Sequence, residues 1–354
     1  MHWNGFPVTE LELAGEDDYS PATRPADFQV SPEALEMIAR SDAENTRTAY
    51  GQDWKRFEHW CESEGRTPLP ATPQTFAEYV KHLANTPTER GTLPKPATID
   101  RAMGTIGRRH NDAGMKLDRR AAAKVYKTYK RDWAHAGNAK SQAKPAIVAA
   151  IRAMVNACDL ATPTGIRDRA IVLIGFAIMG RRSEVTALNV SDITEHENGM
   201  IVLIRMSKTD QDAKGVKVPI RYADDPTLCP VVAVQTWLAA MERRGVKDGP
   251  LFRRIDRNGR LGGTPGAAGR GGARMSPQSV HDIIQRLAHA SGLENAEEYK
   301  GHSLRAGGAT AAAANRAPVS AISDIGRWSK KSTTVHEYVR AVDMWEDHPL
   351  KGVL

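Results

Sequence analysis

Cysteines, aromatic residues and long apolar runs are all scarce in this sequence. Only three cysteines, Cys61, Cys158 and Cys229, occur among 354 residues, and their wide separation fits neither a disulfide framework nor a zinc site. No apolar run approaches the roughly 18 to 20 residues of a membrane span, and the N-terminus lacks the basic, apolar and small-residue succession of a signal peptide. The sequence therefore predicts a cytoplasmic protein without membrane contact, disulfides or bound metal.

The remaining composition is that of a soluble chain. Hydrophobic residues make up 41%, charged residues 26% and aromatic residues 6%, which is ordinary for globular proteins. A length of 354 residues exceeds that of one typical domain, so we expect two domains. The net charge of +7 suits a polyanionic partner, although many basic proteins bind none.

Residues 1–35 form an acidic segment ahead of the first helical patterns. Seven carboxylate side chains oppose a single arginine, Arg24, and Pro7, Pro21 and Pro25 interrupt any regular element. We predict a mostly irregular N-terminal arm. Whether such an arm covers a basic surface or is simply solvated stays open.

Residues 36–136 show the apolar periodicity of short helices, which is clearest at 46–61, 76–83, 99–106 and 118–135. This pattern predicts a small all-α domain. Its second half is rich in basic residues, several of them spaced to share one face of a helix. We predict that this face contacts phosphates, a solvated face being the alternative. The candidate residues are Arg108, Arg109, Arg119, Arg120, Lys124, Lys127, Lys130 and Arg131.

Residues 137–144 have linker composition, and we place a second domain at 145–354. Two apolar segments, 200–206 and 215–220, indicate strands joined by a polar turn. The glycine-rich stretch 258–274 predicts a mobile loop. The fold class is therefore mainly α, with a small antiparallel β-sheet in the second domain. Helices are predicted at 146–160, 165–179, 229–243, 276–291, 302–316, 318–326 and 332–343.

Several residues of the second domain suit phosphodiester chemistry. His302 and Arg305 are three residues apart at a helix start, so both side chains can reach one cluster of oxygens. Arg181 and Glu184 repeat that spacing, in which a carboxylate can hold a neighbouring cation in place. Taken alone, each pair is more often a surface ion pair. In a displacement at a phosphodiester, however, charge grows on the nonbridging oxygens, and guanidinium groups stabilise it with paired hydrogen bonds.

The motifs of this domain together resemble those of one family. They are Gly-Arg-Arg-Ser-Glu-Val at 180–185, Ser-Lys-Thr at 207–209, Gly-His-Ser-Leu-Arg at 301–305, Gly-Arg-Trp at 326–328, and Tyr338. Their order and approximate spacing are similar to those of the tyrosine recombinases, or phage integrases, and most like the Cre-type members. The resemblance implies a two-domain DNA clamp, in which 36–136 is the core-binding domain and 145–354 the catalytic domain.

The resemblance also implies a role for each motif residue. Tyr338 would attack the scissile phosphate and form a 3′-phosphotyrosyl link, so that neither a metal nor another cofactor is required. Arg181 and Arg305 would clamp the nonbridging oxygens, with Arg182 as a competitor of Arg181. His302 would assist proton transfer, and Glu184 would support the arginines.

The two remaining roles depend on less regular parts of the pattern. Lys208 would protonate the leaving oxygen as general acid, with Lys214 and Lys217 as competitors. Trp328 stands where many members of the family have histidine. An indole donates one hydrogen bond but cannot shuttle a proton, so we expect it to contact the phosphate and to support its neighbours.

Further expectations concern assembly and alternatives. The resemblance implies a site-specific recombinase, free as a monomer, that forms a homotetramer on DNA of the nucleoid and proceeds through a Holliday junction. The N-terminal arm is too short for an extra arm-binding domain. The tail after Tyr338 would dock on a neighbouring protomer or pack in cis. The alternatives are a type IB topoisomerase-like enzyme, which rejoins the same strand, and a catalytically silent DNA-binding protein.

Overall fold

The computed structural model describes residues 30–39, 44–89, 91–138, 143–205, 215–267, 272–329 and 332–343. Most of the predicted acidic arm, the turn that carries Lys208 and Lys214, and the C-terminal tail after 343 lie outside these ranges. The chain divides into two compact units, Met1–Lys140 and Ser141–Leu354. No helix among the described residues combines the length and the apolar character needed to cross a membrane.

The first unit is a set of helices, several of which begin where the sequence provides a helix start. Pro73 and Pro96 occupy the first turns of their helices, where the missing amide hydrogen costs nothing. The side chain of Thr72 accepts a hydrogen bond from the Thr75 amide at 3.1 Å, which satisfies a backbone donor left free at that end. The helices are α1 Pro32–Ala39, α2 Glu44–Ser63, α3 Pro73–Asn85, α4 Pro96–Asp112 and α5 Arg120–His135.

Aromatic side chains fill the core of the first unit. Trp54, Phe57 and Trp60 recur every three residues on α2, and all three are buried. The ring of Tyr79 on α3 packs 4.8 Å from that of Phe57 and 5.1 Å from that of Trp60. Offset and tilted ring pairs of this kind stabilise a core beyond simple area burial. The periodicity of the sequence thus predicted these helices correctly.

The second unit contains eight helices and three strands among its described residues. The strands form one antiparallel sheet in the order β1-β2-β3. The predicted fold class, mainly α with a small antiparallel sheet, is confirmed. The elements are α6 Val148–Asn156, α7 Pro163–Ala177, α8 Arg182–Ala187, β1 Ile193–His196, β2 Gly199–Ile204, β3 Val216–Arg221, α9 Pro230–Glu242, α10 Pro277–Ala290, α11 Ser303–Ala314, α12 Val319–Gly326 and α13 Thr334–Asp343.

Two elements of this unit, β1 and α8, were missed in the sequence. Strand β1 is mostly exposed, so it lacks the alternation of apolar and polar residues that reveals a half-buried strand. Helix α8 has only six residues, which is too short to show a helical period. In the described part of the predicted mobile loop at 258–274, hydrogen bonds and burial hold the chain in place. There Gly262 donates to the Arg254 carbonyl at 2.7 Å, and Leu261 is buried.

Close backbone packing places helix α11, which carries Arg305. A Cβ added at Gly307 would lie 2.0 Å from the Ala146 carbonyl oxygen, and one at Gly308 would lie 2.5 Å from that of Phe176. Only glycine permits such approaches. Helix α11 therefore lies directly against the end of α7 and the chain before α6, and its N-terminal turn faces the segment that joins α7 to α8.

Candidate active site

Arg181 and Glu184 form the start of helix α8. The Arg181 amide donates to Oε2 of Glu184 at 2.8 Å, and the Arg181 guanidinium donates to Oε1 at 2.6 Å. Glu184 therefore caps the helix and holds the arginine side chain with the same carboxylate. Arg182, the competing candidate, points elsewhere and reaches Gln278 at 3.2 Å. Burial would raise the pKa of Glu184, but Arg327, followed by Arg181, lowers it below its usual value, so the carboxylate is ionised.

Arg305 is a buried cation with unused hydrogen-bonding capacity. Its side chain is 1% exposed, and Nη1 donates to the Met179 carbonyl at 2.7 Å. Nη2 has no hydrogen-bond partner within the described part of the chain. Burial and then the charge of Arg181 lower the pKa of Arg305 to about 9, so the group stays protonated at neutral pH. An unsatisfied buried donor in this setting is suited to an anionic ligand.

Trp328 covers the guanidinium of Arg305. The Arg305 Cζ atom lies 3.9 Å from the centre of the indole, which is a close cation–π contact. The indole also packs against Tyr338, with ring centres 5.8 Å apart. A Cβ added at Gly326 would lie 1.7 Å from the indole, so the glycine of the Gly-Arg-Trp motif provides the space that the ring occupies.

His302 and Tyr338 meet at the edge of the site. His302 precedes α11, Tyr338 lies on α13, and Nε2 of the imidazole is 3.2 Å from the phenolic oxygen. Desolvation lowers the pKa of His302, and the charges of Arg305, Arg181 and Arg182 act in the same direction. His302 as a whole residue nevertheless stays exposed. Desolvation raises the pKa of Tyr338. A neutral imidazole thus faces a protonated phenol, the pair needed for transfer of the phenolic proton.

The structure brings together six of the seven predicted catalytic residues. Lys208 lies outside the described residues, as does its competitor Lys214. Lys217 lies on β3, paired with Leu203 of β2, and is exposed. Among the described residues, no cluster of three or more histidine, cysteine or acidic side chains could hold a metal ion. The residues brought together are Arg181, Glu184, His302, Arg305, Trp328 and Tyr338.

Sequence reasoning gave no role to one residue of this cluster, Arg327. Its buried guanidinium donates to Glu184 Oε2 at 2.5 Å. The Gly-Arg-Trp motif marked the position, but its partner is 143 residues away in the chain. No local spacing could have identified the pair.

The basic residues predicted to contact phosphates belong to the first unit. Lys124, Lys127, Lys130 and Arg131 are exposed on α5, whose inner side is buried through Ala122 and Tyr129. Arg108, Arg119 and Arg120 also reach the surface, Arg120 as the ion-pair partner of Asp118. Arg109 differs, because it is buried and packs over Trp54 at 5.3 Å. It is therefore a core residue and does not belong to the cationic surface.

Known proteins are similar to this chain over most of its length. The model of the phage integrase family matches residues 148–344. An integrase/recombinase xerD homolog from Selenomonas ruminantium is 31% identical over 328 residues, which are 91% of this chain and 89% of that protein.

Solved structures of low sequence identity share the fold. A XerH site-specific recombinase bound to a palindromic difH substrate has a TM-score of 0.58 at 13% identity, over 91% of this chain and 82% of that one. A lambda integrase dimer bound to a core site has a TM-score of 0.54 at 16% identity, over 86% and 91%.

Proposed function

The chain belongs to the phage integrase family of tyrosine site-specific recombinases, and from this premise we propose that Tyr338 cleaves DNA through a 3′-phosphotyrosyl intermediate. One observation carries the proposal. The Tyr338 oxygen lies 3.2 Å from the imidazole of His302, beside a buried arginine whose Nη2 is free to bind a phosphate oxygen. Nucleophile, proton acceptor and anion clamp therefore come from one chain.

The cleavage step exchanges one phosphoester bond for another. The Tyr338 oxygen forms a bond to phosphorus while its proton passes towards Nε2 of His302, and the bond from phosphorus to the 5′ oxygen breaks. The departing oxygen takes a proton from Lys208, the residue that the family resemblance assigns to this task. Because the phosphotyrosyl ester conserves the energy of the broken bond, rejoining requires neither ATP nor a metal.

Two arginines stabilise the transition state. Arg305 offers an unused donor inside the site, and Arg181 is aimed by its contacts with Glu184. Donors fixed in advance cost no reorganisation when charge builds up on the phosphate. Hydrogen bonds to charged groups contribute about 1.5 to 3 kcal/mol each, so two such clamps lower the barrier by several kcal/mol. Trp328 holds Arg305 in place and takes no part in proton transfer.

The wider reaction follows the family pattern. Double-stranded DNA with a specific site is bound by both units as in a clamp, with the exposed basic face of α5 on the phosphates. Protomers that are monomeric in solution assemble as a tetramer on two sites. They exchange strands through a Holliday junction in the nucleoid, and the chain after Tyr338 docks on a neighbouring protomer. The fold shared with DNA-bound recombinases supports DNA as the partner.

A trapped adduct tests the proposal. Nicked DNA that carries the recombination site loses a short fragment after cleavage, so the phosphotyrosyl product accumulates and is seen as a shifted band on a denaturing gel. We expect an adduct with the natural chain and none with Tyr338→Phe, whose DNA binding should be unchanged. Tyr222→Phe, at an exposed tyrosine that follows β3 in the same unit, is the control and should still form the adduct.

Assays of DNA binding, adduct formation and recombination distinguish the proposed function from the two alternatives. Binding without an adduct on any cognate sequence would show a catalytically silent DNA-binding protein. An adduct that leads only to relaxed plasmid, with no exchanged strands, would show a topoisomerase-like enzyme. Recombinant products from two sites, lost in Tyr338→Phe, are the result that we expect.

A further inference from the structure

Arg327 is a buried arginine that the cleavage steps proposed above do not use. It follows the last turn of α12 with a left-handed backbone, at φ 55°. That conformation favours glycine, because a Cβ is crowded there. Arginine at such a position carries backbone strain, which its side-chain contacts have to offset.

The side-chain contacts of Arg327 are extensive. Nη1 donates to the Ile178 carbonyl at 3.1 Å and to the Ile325 carbonyl at 2.6 Å, and Nη2 donates to Glu184 Oε2 at 2.5 Å. The side chains of Arg327 and Glu184 are each only 2% exposed. Charge-assisted hydrogen bonds in such a dry environment are short and directional, so they fix the positions of the groups that they join.

The contacts of Arg327 involve the groups that hold Arg181 and Arg305 in place. The Glu184 carboxylate bonded by Arg327 is the group that holds the amide and the guanidinium of Arg181. The Ile178 carbonyl is adjacent to that of Met179, which accepts from Arg305 at 2.7 Å. One guanidinium therefore contacts the anchor of Arg181 and the residue next to the anchor of Arg305.

We propose that Arg327 is a positioning residue for DNA cleavage: it fixes Glu184 and the backbone at Ile178, and thereby aligns both arginines that hold the scissile phosphate. The inference rests on the proposed function, because it concerns the same site. It adds a third arginine that acts through the other two and does not contact DNA.

The ionisation of Glu184 provides a readout that a purely structural residue would not change. Burial raises the pKa of this carboxyl, and Arg327 is the strongest of the influences that lower it. Without the Arg327 guanidinium the pKa rises, so Glu184 takes up a proton at a higher pH and releases Arg181. Cleavage by an Arg327 variant should therefore decline on acidification at pH values where the natural chain is unaffected.

Single-turnover cleavage of the nicked DNA, at saturating protein, tests the inference in the full chain. Arg327→Gly removes the guanidinium and suits the left-handed backbone, and Arg327→Lys retains the charge. We expect Arg327→Gly to cleave about 10- to 100-fold more slowly, the range that is typical when a group orienting a metal ligand is removed, with little change in DNA affinity. Arg327→Lys should recover part of the rate and shift the acid decline back towards that of the natural chain.

Arg169→Met is the matched control, because this buried arginine also donates to carbonyl oxygens, those of Pro226 and Thr227, but does not contact the catalytic residues. We expect it to lower stability and to leave single-turnover cleavage unchanged. Unaltered cleavage in Arg327→Gly, or an equal loss in Arg169→Met, would overturn the inference.

A measurement without DNA keeps the inference separate from the proposed function. In a double-mutant cycle of Arg327→Gly and Glu184→Gln, the losses in thermal midpoint should be clearly less than additive, because each change removes the same contact. Additive losses would refute the coupling. If the natural chain forms no adduct, the proposed function fails, and this cycle still decides whether Arg327 positions Glu184.

Discussion

The phenolic oxygen of Tyr338 lies 3.2 Å from Nε2 of His302, although 36 residues separate them in the chain. Helix α11 begins beside His302 and α13 carries Tyr338, and both helices pack in one cluster with Met179, Ile322 and Val335. The proposed nucleophile therefore already lies next to its proposed proton acceptor. Desolvation, and then the charges of the neighbouring arginines, lower the pKa of His302 and so favour the neutral imidazole, the form that can accept a proton.

The first prediction concerns the pH dependence of cleavage. His302 has a pKa below its usual 6.5, so its basic form predominates at pH 7 and is lost as the pH falls through the lowered value. At subsaturating protein, which reports the free enzyme, the rate should decline on acidification with a midpoint below the ordinary histidine value of about 6.5. His302→Gln should lower the rate by about 100-fold or more and abolish this acid limb. An acid limb that persists in His302→Gln would assign it to another group.

The second prediction concerns the packing that places α11. Gly307→Ala adds a Cβ that meets the Ala146 carbonyl oxygen, so we expect a loss of about 1 to 3 kcal/mol in unfolding free energy. Cleavage should fall as well, because α11 carries Arg305. Gly104→Ala is the control, since no atom lies within 4 Å of a Cβ added at this position of α4. It should stabilise the first unit by about 0.5 to 1 kcal/mol. Urea unfolding, followed separately in each unit, measures the change in unfolding free energy for both variants. The same change in Gly307→Ala and Gly104→Ala would contradict the packing argument.

Part of the fold and of the candidate site could be predicted from the sequence. Periodicity predicted the long helices that have one buried face, such as α3, α4 and α10. The ordered motifs pointed to Arg305 and Tyr338. Sequence reasoning missed β1 and α8, whose short lengths give no period. It also placed Arg109 on the basic surface, although a cation–π contact with Trp54 holds it in the core.

The links between catalytic residues could not be predicted either. Glu184 is shared by Arg181 and Arg327, and this sharing depends on the left-handed turn at Arg327. Such contacts form only when segments far apart in the chain are packed together, and no spacing within one segment encodes them.

The third prediction concerns the surface of α5. Lys124→Glu and Lys127→Glu together should weaken DNA binding and flatten its salt dependence, because each lost phosphate contact reduces the slope of log affinity against log salt by about 0.9. Lys247→Glu is the control. This exposed lysine lies in the second unit, where it pairs with Glu242, and its reversal should leave the slope unchanged. Fluorescence anisotropy titrations over a range of salt concentrations measure both. An unaltered slope in the double variant would favour a solvated face.

The fourth prediction is that Arg305 is needed for cleavage but lowers the stability of the folded protein. Its cation is buried beside Arg181 and Arg327, which lower its pKa together with burial, and one of its donors is unsatisfied. Removing an uncompensated buried charge commonly stabilises a protein. Arg305→Met should therefore abolish adduct formation and yet raise the unfolding free energy by about 1 kcal/mol or more.

Sulfate provides the second half of this test. An anion that binds the folded site raises the thermal midpoint by mass action, so sulfate should stabilise the natural chain more than Arg305→Met. Arg169→Met is the control: its guanidinium donates to the carbonyls of Pro226 and Thr227, and its removal should cost stability while the response to sulfate is retained. Thermal unfolding at several sulfate concentrations decides the matter. A destabilised Arg305→Met that responds to sulfate like the natural chain would mean that Arg305 is a structural residue and that the phosphate is held elsewhere.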